Sequence, residues 1–263
     1  MKRRLTLGSV AVWGLCLLLV LSAAPAWAAF PAMSGEVTGG DSSAATTDHV
    51  ITLPATLVSG DGILVIISCR NGPTYTWPDG TWTSTGGTFD SASGNARTEA
   101  RMRTSDGTED GTTITVVTNV GGKCAWIAAR VTGRDTGTAP ERGGTSSGSS
   151  TAPNATTLDP AGWGTEDTLW VTIAAWPNAG ITVSTYPYAA NNNTGASTTS
   201  NSIAVGIAST NSATSSLDAA AWLLSLTTEW GAGTLAIRPS AAAAGGSTIN
   251  CIISGAFIAN GAC

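Results

Sequence analysis

The sequence predicts an all-β chain built from two related antiparallel β-sandwich halves of the Ig-like or jelly-roll type. Apolar residues alternate with polar ones, or form short blocks rich in Val, Ile, Thr and Trp, and Gly, Asn, Asp and Pro bound these blocks. An internal repeat is the second observation behind this prediction. The two halves are either tandem domains or one pseudo-symmetric unit, and the sequence leaves both arrangements open.

The repeat has a nearly constant period. Residues 52–67 (TLPATLVSGDGILVII) align with residues 157–173 (TLDPAGWGTEDTLWVTI) after one insertion. Three pairs of equivalent positions are separated by 106, 109 and 108 residues, namely Asp61 and Asp167, Pro78 and Pro187, and Arg130 and Arg238. A repeat of this length is a small domain or half of a large one.

The first 28 residues match a cleavable export signal. A basic stretch (residues 2–4, KRR) precedes an apolar run anchored by residues 15–21, and residues 26–28 (AWA) fit the small-x-small cleavage rule. The alternative is a retained membrane anchor, for which the apolar run is short. We therefore expect a mature chain that starts at Ala29, is secreted or held at the cell surface, and has no membrane span.

Charge argues against one class of partner. Cleavage leaves nine of the 12 basic residues against 17 acidic ones, so the net charge of the mature chain is about −8. Such a chain has too few basic side chains to neutralise a run of phosphates. We therefore do not expect nucleic acid as a partner.

The strands are predicted in order along the chain. In the first repeat they lie near 49–57, 62–69, 74–83, 96–104, 112–118 and 123–132, and in the second near 156–158, 168–176, 181–188, 202–209, 220–227 and 233–238. The strands at 63–67 and 169–173 carry apolar residues on both faces, which indicates that the halves pack together. Asp106-Gly107 and Asp110-Gly111 flank a tight hairpin.

These elements predict the domain boundaries. A signal peptide (1–28) and an N-terminal segment (29–48) precede the first repeat (49–135). A Gly/Ser/Thr linker (136–153), whose stretch 143–153 is a flexible linker or long loop, leads to the second repeat (154–239). An Ala/Gly spacer and a Cys-bracketed apolar tail (240–263) follow.

Four cysteines survive cleavage: Cys69, Cys124, Cys251 and Cys263. An even count in an oxidising compartment favours disulfides, and the simplest pairing joins Cys69 to Cys124 and Cys251 to Cys263. Three pairings are possible. Alternation in the strand near 123–132 places Ile127 inward and sends Cys124 outward with Arg130, so free or intermolecular thiols stay open.

Signals for catalysis are weak. His49 is the one histidine, and we expect it at the surface at the edge of a strand. Residues 144–148 (GTSSG) match a nucleophile elbow as a string, but neither a buried strand nor a helix flanks them. Residues 231–236 (GAGTLA) open a strand, so they offer no helix N-terminus to a dinucleotide. The carboxylates sit in turns. We predict a protein that is not an enzyme and has no cofactor.

A metal site is not predicted either. Asp106, Glu109 and Asp110 place acidic oxygens on one loop, but their spacing matches a calcium loop poorly and a bare hairpin explains them better. Zinc is not expected, because the cysteines are scattered and histidine is single.

Tryptophan is abundant in the mature chain, which holds Trp77, Trp82, Trp126, Trp163, Trp170, Trp176, Trp222 and Trp230. Most of these side chains are expected in the core. We predict that Trp82, Trp163 and Trp230 are exposed, which makes them candidates for stacking on sugar rings of a surface glycan.

The second repeat is nearly free of charge. Residues 168–217 contain no Asp, Glu, Lys or Arg, although sheets usually guard their edges with charges. Such a surface suits packing against copies of the same chain, and a sparsely charged secreted domain with covered edges is the alternative. In the tail, Ile249, Cys251 and Ile253 alternate as in a strand, and with Phe257 they mark a candidate assembly strand.

Four motifs carry a family resemblance: residues 74–83 (TYTWPDGTWT), 100–116 (ARMRTSDGTEDGTTITV), 163–174 (WGTEDTLWVTIA) and 234–239 (TLAIRP). Over about 49–239 the chain resembles a loosely defined set of tandem β-sandwich proteins of tailed-phage virions and of environmental bacterial and viral surface proteins. The resemblance implies a structural role in a virion or at a surface, without catalysis. The export signal and the Cys-bracketed tail favour a host- or cell-exported relative.

Together these observations predict a non-catalytic, exported structural or adhesive subunit of an extracellular assembly, such as a filament, a surface layer or a virion. Self-association would proceed by addition of residues 248–259 to the sheet edge of a neighbouring copy. The alternative is a secreted glycan-binding β-sandwich module. A secreted hydrolase is a weaker third hypothesis, and it requires His49 to lie near Ser146 or near a carboxylate in a cleft.

Overall fold

A computed structural model describes residues 29–41, 45–189, 193–198 and 202–241. These described residues contain β-strands and no helix, and every strand pairing among them is antiparallel. The predicted all-β fold is therefore confirmed. Among the described residues there is accordingly no helix that is long and apolar enough to cross a membrane.

Eight strands belong to the first half of the chain. They are β1 (Ala32–Gly40), β2 (Thr46–Thr52), β3 (Gly62–Arg70), β4 (Tyr75–Thr76), β5 (Thr83–Asp90), β6 (Ala96–Thr104), β7 (Thr113–Gly122) and β8 (Cys124–Thr132). The second half contributes β9 (Glu141–Arg142), β10 (Ser146–Ser150), β11 (Glu166–Trp176), β12 (Val183–Thr185), β13 (Asn193–Ser197), β14 (Ala204–Thr214), β15 (Leu223–Leu224) and β16 (Thr228–Ile237).

Two large sheets face each other. The first has the order β1-β8-β3-β6-β5, and the second has the order β10-β16-β11-β14-β13, with β9 also paired to β16. One core cluster draws on both sheets: Leu64 and Ile66 from β3 lie in it together with Val171 and Ile173 from β11. The two sheets therefore form a β-sandwich. The two halves pack against each other, as the apolar runs at 63–67 and 169–173 predicted.

The outer face of each large sheet is covered as well. The small sheet β2-β7-β4 encloses a second cluster against the first large sheet, with Ile51, Val65 and Trp77 among its members. On the second large sheet, the β12-β15 pair and residues near 155 enclose a third cluster, which contains Trp176 and Trp222. Because both faces are covered, β3 and β11 are buried along almost their whole length.

The two halves use the same strand order. If β3, β5, β6 and β8 are matched with β11, β13, β14 and β16, the two large sheets have identical sequences of neighbours, and β1 corresponds to β10. This agreement follows from the repeat seen in the sequence. The pseudo-symmetric arrangement and the Ig-like or jelly-roll type stay predictions.

Several predicted boundaries change. The stretch 143–153, expected to be a flexible linker or long loop, contains β10, and the N-terminal segment 29–48 contains β1 and the start of β2. Both β1 and β10 are Gly-rich or Ser-rich and have little strand propensity of their own. Pairing with β8 and β16 holds them in the sheets, and this tertiary effect has no local sequence signal.

Some predictions fall outside the described residues. These are the signal peptide, the Cys251–Cys263 pairing, and the assembly strand with Ile249, Ile253 and Phe257.

Candidate functional site

The three tryptophans predicted to bind glycans are buried. Trp82, Trp163 and Trp230 are 2%, 7% and 8% exposed, so the expectation of exposure was wrong. Trp82 stacks on Trp77 with ring centroids 5.3 Å apart, under the small sheet β2-β7-β4. Trp163 packs in a small cluster with Trp170, and the Arg238 guanidinium lies 5.8 Å from its ring centre.

Trp230 is covered for a different reason. It lies directly opposite Gly148 in the pairing of β10 with β16, and its ring fills the space beside that glycine. The Trp230 Nε1 group also donates a hydrogen bond to Ser150 Oγ at 3.0 Å. None of the three rings therefore presents a free face to a sugar.

His49 is fully buried, and its prediction as a surface residue was wrong. It lies on β2, and its side chain points from this covering layer toward the first large sheet. Its Nδ1 atom lies 3.1 Å from the Asp41 carboxylate, and its Nε2 atom lies 3.1 Å from Thr118 Oγ1 and 3.2 Å from Cys124 Sγ. The Cys124 amide donates a hydrogen bond to the same Asp41 carboxylate at 2.6 Å.

The disulfide between Cys69 and Cys124 is confirmed. The two residues lie directly opposite each other on β3 and β8. Alternation does send Cys124 to the face away from the sandwich core, but a second core covers that face, so the expected exposure of Cys124 was wrong.

The buried cluster does not form a reactive site. His49 Nε2 and the two sulfurs lie within 4.8 Å of one another, the spacing of metal ligands. A metal needs thiolate sulfur, however, and here each sulfur is bonded to the other. His49 has a carboxylate neighbour but is enclosed, and Ser146 lies on β10 of the other large sheet. The hydrolase hypothesis therefore finds no cleft at His49.

The acidic loop is engaged in its own structure. Glu109 accepts hydrogen bonds from the Ser105 hydroxyl at 2.8 Å and from the Asp106 amide at 3.2 Å. Asp110 accepts the Leu57 amide at 3.1 Å. Hydrogen bonds from the Thr108 hydroxyl and amide lower the pKa of Asp106. Arg103 also forms ion pairs with both Asp106 and Glu109, at 3.7 and 2.8 Å, so the carboxylates of the loop are engaged in holding the hairpin.

The strand β10 provides the open edge of the second large sheet. Its sequence, Ser-Ser-Gly-Ser-Ser, pairs with β16 from Ser146 opposite Ala232 to Ser150 opposite Thr228 without a bulge. Within the described part of the chain, no strand pairs with its other side. A regular strand edge of this kind presents a row of backbone N–H and C=O groups to a partner.

Three other edge strands carry features that hinder pairing, whereas β13, the opposite edge of the second large sheet, is regular and uncharged like β10. A register shift between Ser34 and Val37 interrupts β1, and another between Ser84 and Thr88 interrupts β5. The Arg142 guanidinium fills the bulge in β5 by donating to the carbonyls of Gly86, Gly87 and Thr88. The edge strand β2 of the small sheet carries Asp48 at an exposed position. Bulges and charges are devices that block edge-to-edge association.

Sequence reasoning missed this edge because residues 143–153 look like a linker. One sequence feature could have indicated it: residues 143–153 contain no charged side chain, as is also true of residues 168–217. No protein-family model, curated protein or solved structure matches the chain, so the interpretation of the site rests on its geometry.

Proposed function

We propose that the protein is a non-catalytic, exported structural or adhesive subunit of an extracellular assembly, such as a filament, a surface layer or a virion. It acts at the cell surface or outside the cell, and its partners are copies of itself. The observation that carries the proposal is the regular, uncharged edge strand β10, which has no partner on its outer side in the described residues.

Strand addition is the mechanism this edge suits. A donor segment in extended conformation pairs with the free backbone groups of β10, and its alternate side chains determine the register. Ser147 and Ser149 are exposed and Gly148 has no side chain, so the acceptor strand places little steric bulk against a donor. No charged side chain on β10 has to be desolvated when the donor binds.

The donor in this proposal is the segment 248–259. In the sequence it follows an Ala/Gly-rich spacer, contains no charge and alternates apolar residues. Cys251 lies within this segment and Cys263 follows it, and the two cysteines would hold it in place. The export signal and the charge-free stretch 168–217 support the same proposal, since an assembly outside the cell tolerates an uncharged contact surface.

The alternative function, glycan binding through exposed tryptophans, receives no support from the three residues chosen for it. Their rings are buried, and stacking on sugar would require the covering layers to open. Surface glycans remain possible partners only through a different site.

Light scattering after size exclusion, under non-reducing conditions, tests the proposal. The mature chain is compared with a truncation that lacks residues 248–263 and with a Ser147→Lys/Ser149→Lys variant. A Thr113→Lys/Thr115→Lys variant is the matched control, because it adds the same charge at exposed positions on β7, the middle strand of a small sheet.

We expect large species from the mature chain and the control, and monomers from the truncation and from the β10 variant. Monomers from all four proteins would overturn self-assembly. A truncation that still assembles would show that the tail is not the donor. Assembly of the β10 variant at the same size would remove β10 as the acceptor.

A further inference from the structure

One buried arginine has no carboxylate partner. Five arginines of the described chain form ion pairs with Asp or Glu side chains: Arg97, Arg101, Arg103, Arg130 and Arg238. Arg134 is only 7% exposed, and no Asp or Glu oxygen of the described residues lies within 4 Å of its guanidinium. Burying an unpaired cation is costly, so a residue of this kind points to a missing counter-ion.

The hydrogen bonds of Arg134 leave donors free. Its Nη1 group donates to the Asp135 carbonyl at 3.1 Å, and its Nη2 group donates to Thr104 Oγ1. The Nε group is buried and has no acceptor. A guanidinium carries five N–H donors, so three of them lack an acceptor within the described residues. Burial lowers the pKa of Arg134, an effect that the nearby Asp135 partly offsets.

Arg134 lines a pocket of about 270 Å³ at one end of β6 and the turn that follows β8. The other polar side chains of the pocket belong to threonines, namely Thr81, Thr83, Thr104, Thr136 and Thr138. The two carboxylates beside it accept hydrogen bonds from pocket residues: Asp79 from the Thr81 amide at 2.8 Å and from its hydroxyl, and Asp135 from the Gly137 amide at 2.8 Å and from the Thr138 hydroxyl at 2.7 Å. The pocket wall therefore carries one cation and five threonine hydroxyls, three of which already hold one hydrogen bond, beside apolar side chains.

The backbone is adapted to hold this arginine. A Cβ atom at Gly62 would lie 2.6 Å from Arg134 Nε and 2.8 Å from its Cδ, so the arginine stem packs directly over that glycine. Gly62 starts β3, the central strand of the first large sheet. The arginine stem is thus held against a buried, central strand, and rigid elements of this kind hold binding groups in position.

We propose that this pocket binds a small, hydroxylated carboxylate of monosaccharide size, of the sugar-acid class. The carboxylate pairs with the free Nη donors of Arg134 in a charge-assisted hydrogen bond, because Nε is buried against Gly62, and the threonine hydroxyls bind the ligand hydroxyls. The volume exceeds what a lone carboxylate requires and falls at the small end of ligand pockets. This site is separate from β10 and does not depend on self-assembly.

Isothermal titration calorimetry of the mature chain with D-glucuronate tests the proposal, with D-glucose and acetate as comparison ligands. Glucose has the ring without the charge, and acetate has the charge without the ring. We expect glucuronate to bind most tightly of the three. Removing a charged hydrogen-bond partner costs enough that Arg134→Gln should weaken glucuronate by about tenfold or more.

A second variant guards against misfolding of Arg134→Gln. Thr136 is an exposed residue of the pocket lining, so Thr136→Trp fills the pocket and leaves Arg134 unsubstituted. Thr185→Trp is the control, because it places the same side chain at an exposed site on β12. Thr136→Trp should abolish glucuronate binding and Thr185→Trp should leave it unchanged. Equal binding of glucose, no binding of glucuronate, or full binding by Thr136→Trp would each overturn the proposal.

The sugar acid could be free or part of a polysaccharide. Retention of the protein on immobilised alginate, compared with binding of glucuronate alone, distinguishes these two sources. Binding to both identifies a uronic acid unit in a chain as a ligand, and binding to glucuronate alone identifies a free sugar acid.

Discussion

Trp126 lies directly opposite Gly39 in the pairing of β1 with β8, and its indole occupies the space that a side chain at position 39 would need. The second half repeats this relationship with Trp230 and Gly148. In both cases an aromatic ring on the penultimate strand of a large sheet covers a glycine on the edge strand. A ring of this kind restores the contacts that a glycine lacks in a sheet.

Substitution of Gly148 should destabilise the fold. A Cβ atom there would lie 2.7 Å from the Trp230 ring, which is closer than packed atoms approach. We expect Gly148→Val to lower the free energy of unfolding by about 1–3 kcal/mol, as measured by urea titration. The control Ser147→Val, at the exposed neighbouring position, should change it by less than about 0.5 kcal/mol. Similar losses in both variants would contradict the steric role of Trp230.

Each half also contains an ion pair made by one of the two equivalent arginines, Arg130 and Arg238. We expect these two ion pairs to contribute differently to the free energy of unfolding. Arg130 Nε donates to Asp61 at 2.6 Å, and Arg238 Nε donates to Glu166 at 2.7 Å. The Asp61 side chain is 8% exposed, whereas the Glu166 side chain is 23% exposed. A charge left without its partner costs more where water cannot reach it.

We therefore expect Arg130→Met to cost about 2 kcal/mol of unfolding free energy and Arg238→Met to cost about 1 kcal/mol or less. Chemical denaturation of both variants at low and at high salt measures this. High salt should reduce the smaller loss further, because exposed ion pairs are screened. A larger loss from Arg238→Met would reverse the ranking and refute the argument from burial.

The disulfide should make a large contribution to stability. Cys69 and Cys124 are 55 residues apart, and closing a loop of that length restricts the unfolded chain by about 4 kcal/mol in the chain-entropy description. Reduction should therefore move the urea midpoint strongly downward. The truncation without residues 248–263 is the suitable protein, because it lacks Cys251 and Cys263. An unchanged midpoint after reduction would show that the bond contributes little.

The tyrosines should resist ionisation. The chain has three, and burial raises the pKa of Tyr75 well above its usual value, and those of Tyr186 and Tyr188 above theirs. A raised pKa in the folded state means that the phenol contributes stability below about pH 10 and loses it as the pH rises through the folded pKa.

Absorbance at 295 nm during alkaline titration follows this ionisation. We expect little tyrosinate at about pH 10 in the folded protein, where free tyrosine is half ionised, and ordinary ionisation in urea. The Tyr75→Phe variant also loses the hydrogen bond from the Tyr75 hydroxyl to the Arg97 carbonyl. In this variant the tyrosinate absorbance should come from Tyr186 and Tyr188 alone. Half-ionisation of all three tyrosines at about pH 10 without unfolding would contradict the burial of these groups.

Much of the fold was predictable from local pattern. The apolar runs at 62–69 and 168–176 became β3 and β11, and the strand near 96–104 became β6 with the same bounds. Long apolar or alternating runs carry their own signal, and the spacing of the repeat predicted the match between the halves. The Cys69–Cys124 bond was predicted as the simplest pairing of an even number of cysteines, and it is present.

Three of the errors share one physical cause. Trp82, His49 and Cys124 were each expected at a surface, Cys124 because alternation turns it away from the sandwich core, and all three are buried. The structure covers that surface with a further layer, and the sequence of a strand does not say whether its second face meets solvent or another sheet. The edge strand β10 was missed for the opposite reason, since pairing with β16 alone makes it a strand.

The position of β16 determines when the molecule can complete its core. The strand β11 receives one of its two neighbours only when residues 228–237 are present, and Gly231 of that same strand packs against the Asp90 backbone of the first half. Contacts between residues so distant in sequence form slowly. During synthesis, the second large sheet therefore stays incomplete until β16, the last of the described strands, has been made, and over that interval the nascent chain exposes apolar surface that favours aggregation.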